Sequence, residues 1–467
     1  MHNSVQKCRA EFIRPTARSN KFDPTVTICW IVIVLLALLL PVQVQAYPID
    51  GYADTGIRRV EGVRLTEDGT IPGRKQPPGA VLSTAAVDLR LIDYPDMDLP
   101  EPDPAFTKQI LGLLGGHASQ YGIAVLDLSN PEQPRYAEYR GDYRQNVGSV
   151  GKLVAVLGLF QALADAWPDD IEKRRQILYD TIVTADEFCH WDHHKIRLFD
   201  VDTNKLTRRT MKDGDQGNLW EILDWTLSVS SNAAAAMTMR EAMLLRHYGK
   251  DYPVPEAEIQ RFFKETPGKE LTALFQQTFF EPVTRNGMDV DKLRQGSFFT
   301  REGKHKVNGG GNSYGTAREL LKYVLRMEQG RLVDEFSSRQ IKRLLYMTER
   351  RIRYASAPAL KDSAVYFKSG SLYSCKEEEG FKCGPYMGNI RNYMNSVAIV
   401  ETPAGENRLY YISTLVSNVL RKNSAVDHQT MGTRIHRLIE KANPEPVPEP
   451  TAVPDAAEPV TSAPMVE

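Results

Sequence analysis

Ser149 and Lys152 lie three positions apart, so in a helical segment both side chains share one face and the amine can reach the hydroxyl. A serine placed this way is a nucleophile with its proton acceptor built in. Further along come Ser230-Ser231-Asn232 and then Lys368-Ser369-Gly370. Each element is ordinary by itself. A chain of 467 residues holds about one Ser-x-x-Lys by chance, Ser and Asn are preferred helix N-caps, and a lysine in a strand is usually solvated. Taken in order they supply a nucleophile, a base, a hydroxyl that can pass a proton to a leaving group, and a cation for a substrate carboxylate. That set serves acyl transfer through a covalent intermediate.

The flanking residues indicate what positions these groups. Residues 153–163 are apolar nearly all round, which predicts a helix buried in mid-domain with Ser149 at its N-terminus, where free N–H groups favour developing negative charge. Residues 219–228 have helical apolar spacing and run into Ser230, and the four alanines after Asn232 suit a second tightly packed helix. Residues 364–373 alternate like a strand, with Lys368 interrupting the apolar run.

With these motifs in register, the chain resembles a class A β-lactamase, within the wider superfamily of serine β-lactamases and penicillin-binding proteins. The resemblance covers roughly residues 118–440. Residues 121–128 and 135–139 look like the first two strands of that fold, and the stretches beginning at Thr316 and Ser338 look like the two helices before the Lys368 strand. Residues 395–400 and 408–416 look like two further strands, and a last amphipathic helix spans about 427–441. The implied fold is α+β: an antiparallel five-stranded sheet flanked by helices, plus an all-α subdomain.

The resemblance also implies roles. Ser149 forms the acyl-enzyme, Lys152 accepts its proton directly or through water, Ser230 protonates the departing nitrogen, and Asn232 holds the substrate amide. Lys368, with Ser369, binds the substrate carboxylate, Gly370 admits the ligand close to the strand, and the N–H groups of Ser149 and Ser371 form the oxyanion hole. Glu281, in a Glu-Pro loop sequence followed by Asn286, is the nearest match to the family's water-positioning glutamate, although the Asn lies one position late and the stretch sits further from the second motif than usual. Arg391 is the candidate for a second carboxylate contact. Three readings stay open: β-lactam hydrolysis, a D-alanyl-D-alanine peptidase acting on cell-wall peptide, and a penicillin-binding or sensor module that acylates without turnover. None needs a metal or organic cofactor, and a monomer is expected.

The charges nearly cancel, 58 basic against 59 acidic, so no basic field recruits nucleic acid. Residues 28–40 form an apolar run preceded by Lys7, Arg9, Arg14, Arg18 and Lys21, which reads as a signal peptide over residues 1–46 cleaved after Ala46, with an uncleaved membrane anchor as the alternative. The protein is accordingly expected in the periplasm or secreted, held at the membrane only if the segment stays. Residues 47–105 read as an extended arm, 106–441 as the catalytic domain, and 442–467 as a disordered tail, since residues 443–467 hold seven prolines and five acidic residues without a base. In an exported chain Cys375 and Cys383, bracketing a short loop after the Lys368 strand, are expected to pair. Cys189 is left over in Cys189-His190-Trp191-Asp192-His193-His194, which has metal-ligand residue types but no recognisable metal spacing, against the reading of a surface insertion.

Overall fold

A computed structural model describes residues 50–346 and 351–445, all belonging to one compact unit. The chain enters through helix α1 (Arg58–Glu67) and α2 (Pro104–Leu114), whose N-cap Asp103 accepts from the N–H groups of Ala105 and Phe106. Strands β1 (Tyr121–Asp127) and β2 (Arg135–Tyr139) come next, then α3 (Lys152–Ala166). A hairpin of β3 (Ile196–Asp200) and β4 (Lys205–Arg209) precedes α4 (Leu219–Leu227) and α5 (Asn232–Tyr248). Beyond the short α6 (Glu281–Arg285) come α7 (Ala317–Glu328) and α8 (Glu335–Tyr346). Strands β5 (Ala364–Ser374), β6 (Arg391–Thr402) and β7 (Leu409–Asn418) and helix α9 (Ser424–Ala442) complete it.

The main sheet has five antiparallel strands in the order β2-β1-β7-β6-β5, the α+β architecture expected from the sequence. Every residue of β1 is buried, because helices cover both faces. The period of two then sorts its side chains. Ile123 and Val125 pack with Phe106 and Ile110 of α2 and Ile435 of α9 on one face. Ala124 and Leu126 join the larger core that holds α3, α4 and α5 on the other. Within that core α3 is buried at every residue except Asp165, as its all-round apolar sequence requires.

The arm is more than an extended segment. It contains α1, and Ile57, Val60, Val87 and Leu91 belong to the same core as α3. Only Val60, Val63 and Leu65 of α1 are large and apolar. Charge pairs add to this docking: Arg58 pairs with Glu221, and the buried Arg59 forks onto the Asp224 carboxylate with Nε at 2.6 Å. No apolar periodicity announces such a helix. The signal-peptide expectation, residues 1–46, and the tail beyond Glu445 lie outside the described residues.

Candidate active site

Residues Gly148–Gly151 form a 3₁₀ turn leading into α3. In that geometry positions i and i+3 eclipse, and Lys152 Nζ donates to Ser149 Oγ at 2.8 Å. Gly148 adopts φ +54°, a left-handed conformation that suits glycine, and so turns the chain ahead of the serine. Lys152 is fully buried, and burial, opposed by the negative charge of Asp192, lowers its pKa to about 7. Its amine is therefore poised to lose a proton near neutrality.

The second element divides its labour in a way the motif does not announce. Ser231, not Ser230, is the N-cap of α5, accepting from the N–H of Ala234. Ser230 takes φ +60°, and its Oγ sits between two amines, Lys368 Nζ at 2.9 Å and Lys152 Nζ at 3.4 Å. Asn232 Oδ1 accepts from Lys152 Nζ at 2.7 Å. This turn is held by Asp192, which had no role assigned from sequence. One carboxylate oxygen accepts from Ser231 Oγ and from the N–H groups of Asn232 and Ala233 at 2.8–3.0 Å, and the other from His194 Nδ1 at 2.6 Å. Burial raises the Asp192 pKa, but His194 and the backbone N–H groups outweigh it and leave the carboxyl below its ordinary value. The segment from Cys189 to His194 is thus a brace for the second motif. Asp192, His193 and His194 cluster closely enough to hold a metal, yet both oxygens of Asp192 are spent on the brace.

Lys368 on β5 is 2% exposed. Burial first, then the positive charges of Lys152 and Arg353, push its pKa well below the ordinary lysine value. Gly370 lies two residues on, where a Cβ would fall 2.0 Å from the Val147 carbonyl and 2.7 Å from the Ser149 nitrogen. Only a residue without a side chain lets β5 press against the Ser149 turn. The turn meets Ser371 as well: a Cβ on Gly148 would lie 3.2 Å from the Ser371 nitrogen.

Ser369 and Ser371 are engaged by an arginine that sequence reasoning passed over. Arg353 Nη1 donates to Ser369 Oγ at 2.8 Å and Nη2 to Ser371 Oγ at 3.0 Å, with the guanidinium 4.8 Å from the centre of the Tyr386 ring. Arg391, the expected carboxylate contact, pairs opposite Ser374 whereas Ser369 pairs opposite Ser396. Five strand residues, about 17 Å, separate the two positions, and Arg391 is exposed. A carboxylate arriving between Lys368 and Arg353 would meet a fork-shaped donor. Arg353→Ala is therefore expected to slow the reaction of Ser149 with a carboxylate-bearing acylating reagent by about tenfold or more, the scale of one charge-assisted hydrogen bond. The methyl ester of the same reagent, compared by stopped-flow labelling, should lose most of that sensitivity.

Glu281 is not brought to Ser149. It pairs with Arg246 at 2.6 Å, and Arg246 and Arg285 both bind Asp165. Asp165 lies thirteen residues beyond Lys152 on α3, about 20 Å along the helix. The Glu-Pro pair marks the start of α6, where proline and an acidic residue are both favoured. Beside the Ser149 turn are instead Phe299, whose ring centre is 4.6 Å from Lys152 Nζ, and the buried Gln295, whose unpartnered Oε1 points at Gly151. Among the described residues no carboxylate hydrogen-bonds Ser149, Lys152 or Ser230.

Cys375 and Cys383 form a disulfide in the loop after β5, near Tyr386. Cys189 is free and buried.

The model of the Beta-lactamase enzyme family matches residues 105–438, more than half of the chain. No curated protein matches the sequence at a significant level. Among solved structures, an acyl-enzyme complex of a PBP-A mutant with penicillin G is 14% identical, with 73% of this chain and 100% of that chain covered and a TM-score of 0.46. The TLA-3 extended-spectrum beta-lactamase is 13% identical (73% and 99% covered, TM-score 0.45), and a beta-lactamase from Sphaerobacter thermophilus is 12% identical (72% and 95%, TM-score 0.43).

Proposed function

The chain belongs to the beta-lactamase enzyme family, and on that premise we propose that it is an exported serine hydrolase acylated at Ser149 by the amide carbonyl of a β-lactam. The observation that carries the proposal is the buried Lys152 amine, 2.8 Å from Ser149 Oγ, with a pKa near 7. Ser149 Oγ attacks the carbonyl carbon as its proton passes to Lys152 Nζ, and the N–H groups of Ser149 and Ser371 receive the oxyanion. The C–N bond breaks as Ser230 Oγ gives its proton to the departing nitrogen, and either amine beside it, Lys152 or Lys368, restores that proton.

The position of Glu281 favours a second reading for the fate of the acyl-enzyme. With Glu281 tied to Arg246 at the far end of α3, no carboxylate among the described residues is bonded to Ser149 in the manner of the family's deacylating glutamate. The acyl-enzyme is then long-lived, which suits a penicillin-binding protein or a D-alanyl-D-alanine peptidase better than an efficient β-lactamase.

Intact-mass spectrometry of the purified protein with penicillin, monitored over time, tests both statements. A mass increase equal to the whole penicillin, mapped to Ser149, is expected, and it should persist after free penicillin is removed. Rapid decay of the adduct would restore the lactamase reading, and no adduct would remove acylation. Because neutral Lys152 is the base, the acylation rate should rise with pH through about 7. One unit below that value roughly a tenth of the maximal rate should remain.

A further inference from the structure

A cleft of about 1360 Å³ opens next to this site and takes no part in the acyl transfer itself. One wall is α1 with the residues just beyond it, the second is the β3–β4 hairpin, and the third is the segment from Arg351 to Lys361. Its inner end adjoins the catalytic groups: Val229 precedes Ser230, Ile352 precedes Arg353, and Tyr386 lies under the Arg353 guanidinium. Eight of the described lining residues are Lys or Arg and none is Asp or Glu. Some of that charge is matched from outside the lining, as Asp224 matches Arg59. Arg74, Lys75 and Lys195 are exposed and have no ion-pair partner among the described residues. Arg351, half-buried, donates among the described residues only to the carbonyls of Gly79, Leu360 and Ser363, and burial lowers its pKa to about 10. Between the cations stand apolar surfaces from Ile71, Phe199, Leu206 and Ile352.

The geometry points to a binding cleft for an acidic peptide, continuous with the leaving-group side of the acyl-transfer site. This orientation rests on the reading of Ser230 as the proton donor to the departing nitrogen. A substrate whose leaving amine continues into a peptide runs past Ser230 and Arg353 into the cleft. Interleaved apolar and cationic surface suits a peptide whose carboxylates alternate with uncharged groups, whereas a uniformly charged polyphosphate would leave the apolar walls unused.

The test uses the full-length Ser149→Ala protein, so that binding is read without acylation and its outcome is separate from that of penicillin labelling. A fluorescent oligoglutamate peptide should bind, with affinity falling as salt rises, and an oligoglutamine of equal length should bind at least about tenfold more weakly. The triple exchange Arg74→Glu, Lys75→Glu and Lys195→Glu, all at exposed positions, should weaken oligoglutamate binding by about tenfold or more with an unchanged melting temperature. Equal binding of both peptides, no binding, indifference to the triple exchange, or tighter capture of inorganic tripolyphosphate than of oligoglutamate would each overturn the proposal. So would a gain in affinity on deleting residues 446–467, since that result assigns the cleft to the chain's own acidic tail.

Discussion

Replacing Ser149 with alanine is expected to abolish covalent labelling by a fluorescent penicillin while the protein keeps its fold. Among the described residues Ser149 Oγ takes part in one hydrogen bond, accepted from Lys152 Nζ, so its loss removes the nucleophile and little packing. Lys152→Ala should retain the serine but slow labelling by at least about a hundredfold, the usual scale for losing a general base. That variant empties a fully buried position whose amine also touches the Ser230 carbonyl and Asn232 Oδ1. Lys152→Met, which keeps the volume, therefore separates loss of the base from loss of packing. Lys368→Ala should act differently. Its amine reaches Ser230 Oγ and the Ser369 carbonyl rather than Ser149, so the penalty should fall on second-order acylation by carboxylate-bearing ligands. Unchanged labelling of Ser149→Ala, or adduct mapped to another serine, would show that the three motifs meet by coincidence.

The second large effect concerns the buried ionic cluster that ties the arm to the sheet. Lys342 Nζ on α8 donates to Glu328 at 3.0 Å and Glu401 at 2.8 Å, with no exposure on any of the three side chains. Arg90 of the arm completes the cluster through Glu401 at 3.0 Å. Burial raises the Glu328 pKa. It acts the same way on Glu401, where Lys342 and Arg90 outweigh it and hold the carboxyl below its ordinary value. Lys342→Met would leave Glu401 with the Arg90 guanidinium and Glu328 with the Arg90 backbone N–H but no paired cation, at a cost of about 3–5 kcal/mol, the range for stranding a buried charge. Urea unfolding should record that loss. Adding Glu328→Gln to the same chain should recover part of it, because the stranded charge is then gone. A double variant as unstable as the single one would mean that Lys342 acts through packing alone.

Local spacing determined much of this protein. The i,i+3 pair Ser149 and Lys152, the apolar helix after it, the turn at Ser230 and the strand around Lys368 all appear where the sequence places them, because each depends on a few consecutive residues obeying one period. The Lys368 strand was legible from its alternation, whereas the other sheet strands were expected from the resemblance to the β-lactamase fold. What local spacing left open was which distant residues complete the site. Arg391 has the right chemistry on the right sheet, but antiparallel register places it opposite Ser374, and Arg353 arrives from a separate turn to bond Ser369 and Ser371. Glu281 carries a plausible sequence context that turns out to be the start of a helix docked at the other end of α3. Asp192 braces the second motif across some forty residues of chain, and α1 adds the buried Arg59–Asp224 pair to the core contacts of Ile57 and Val60. Strand register and the pairing of buried charges join segments far apart in sequence. Their energies depend on which surfaces meet, and only the tertiary structure decides that.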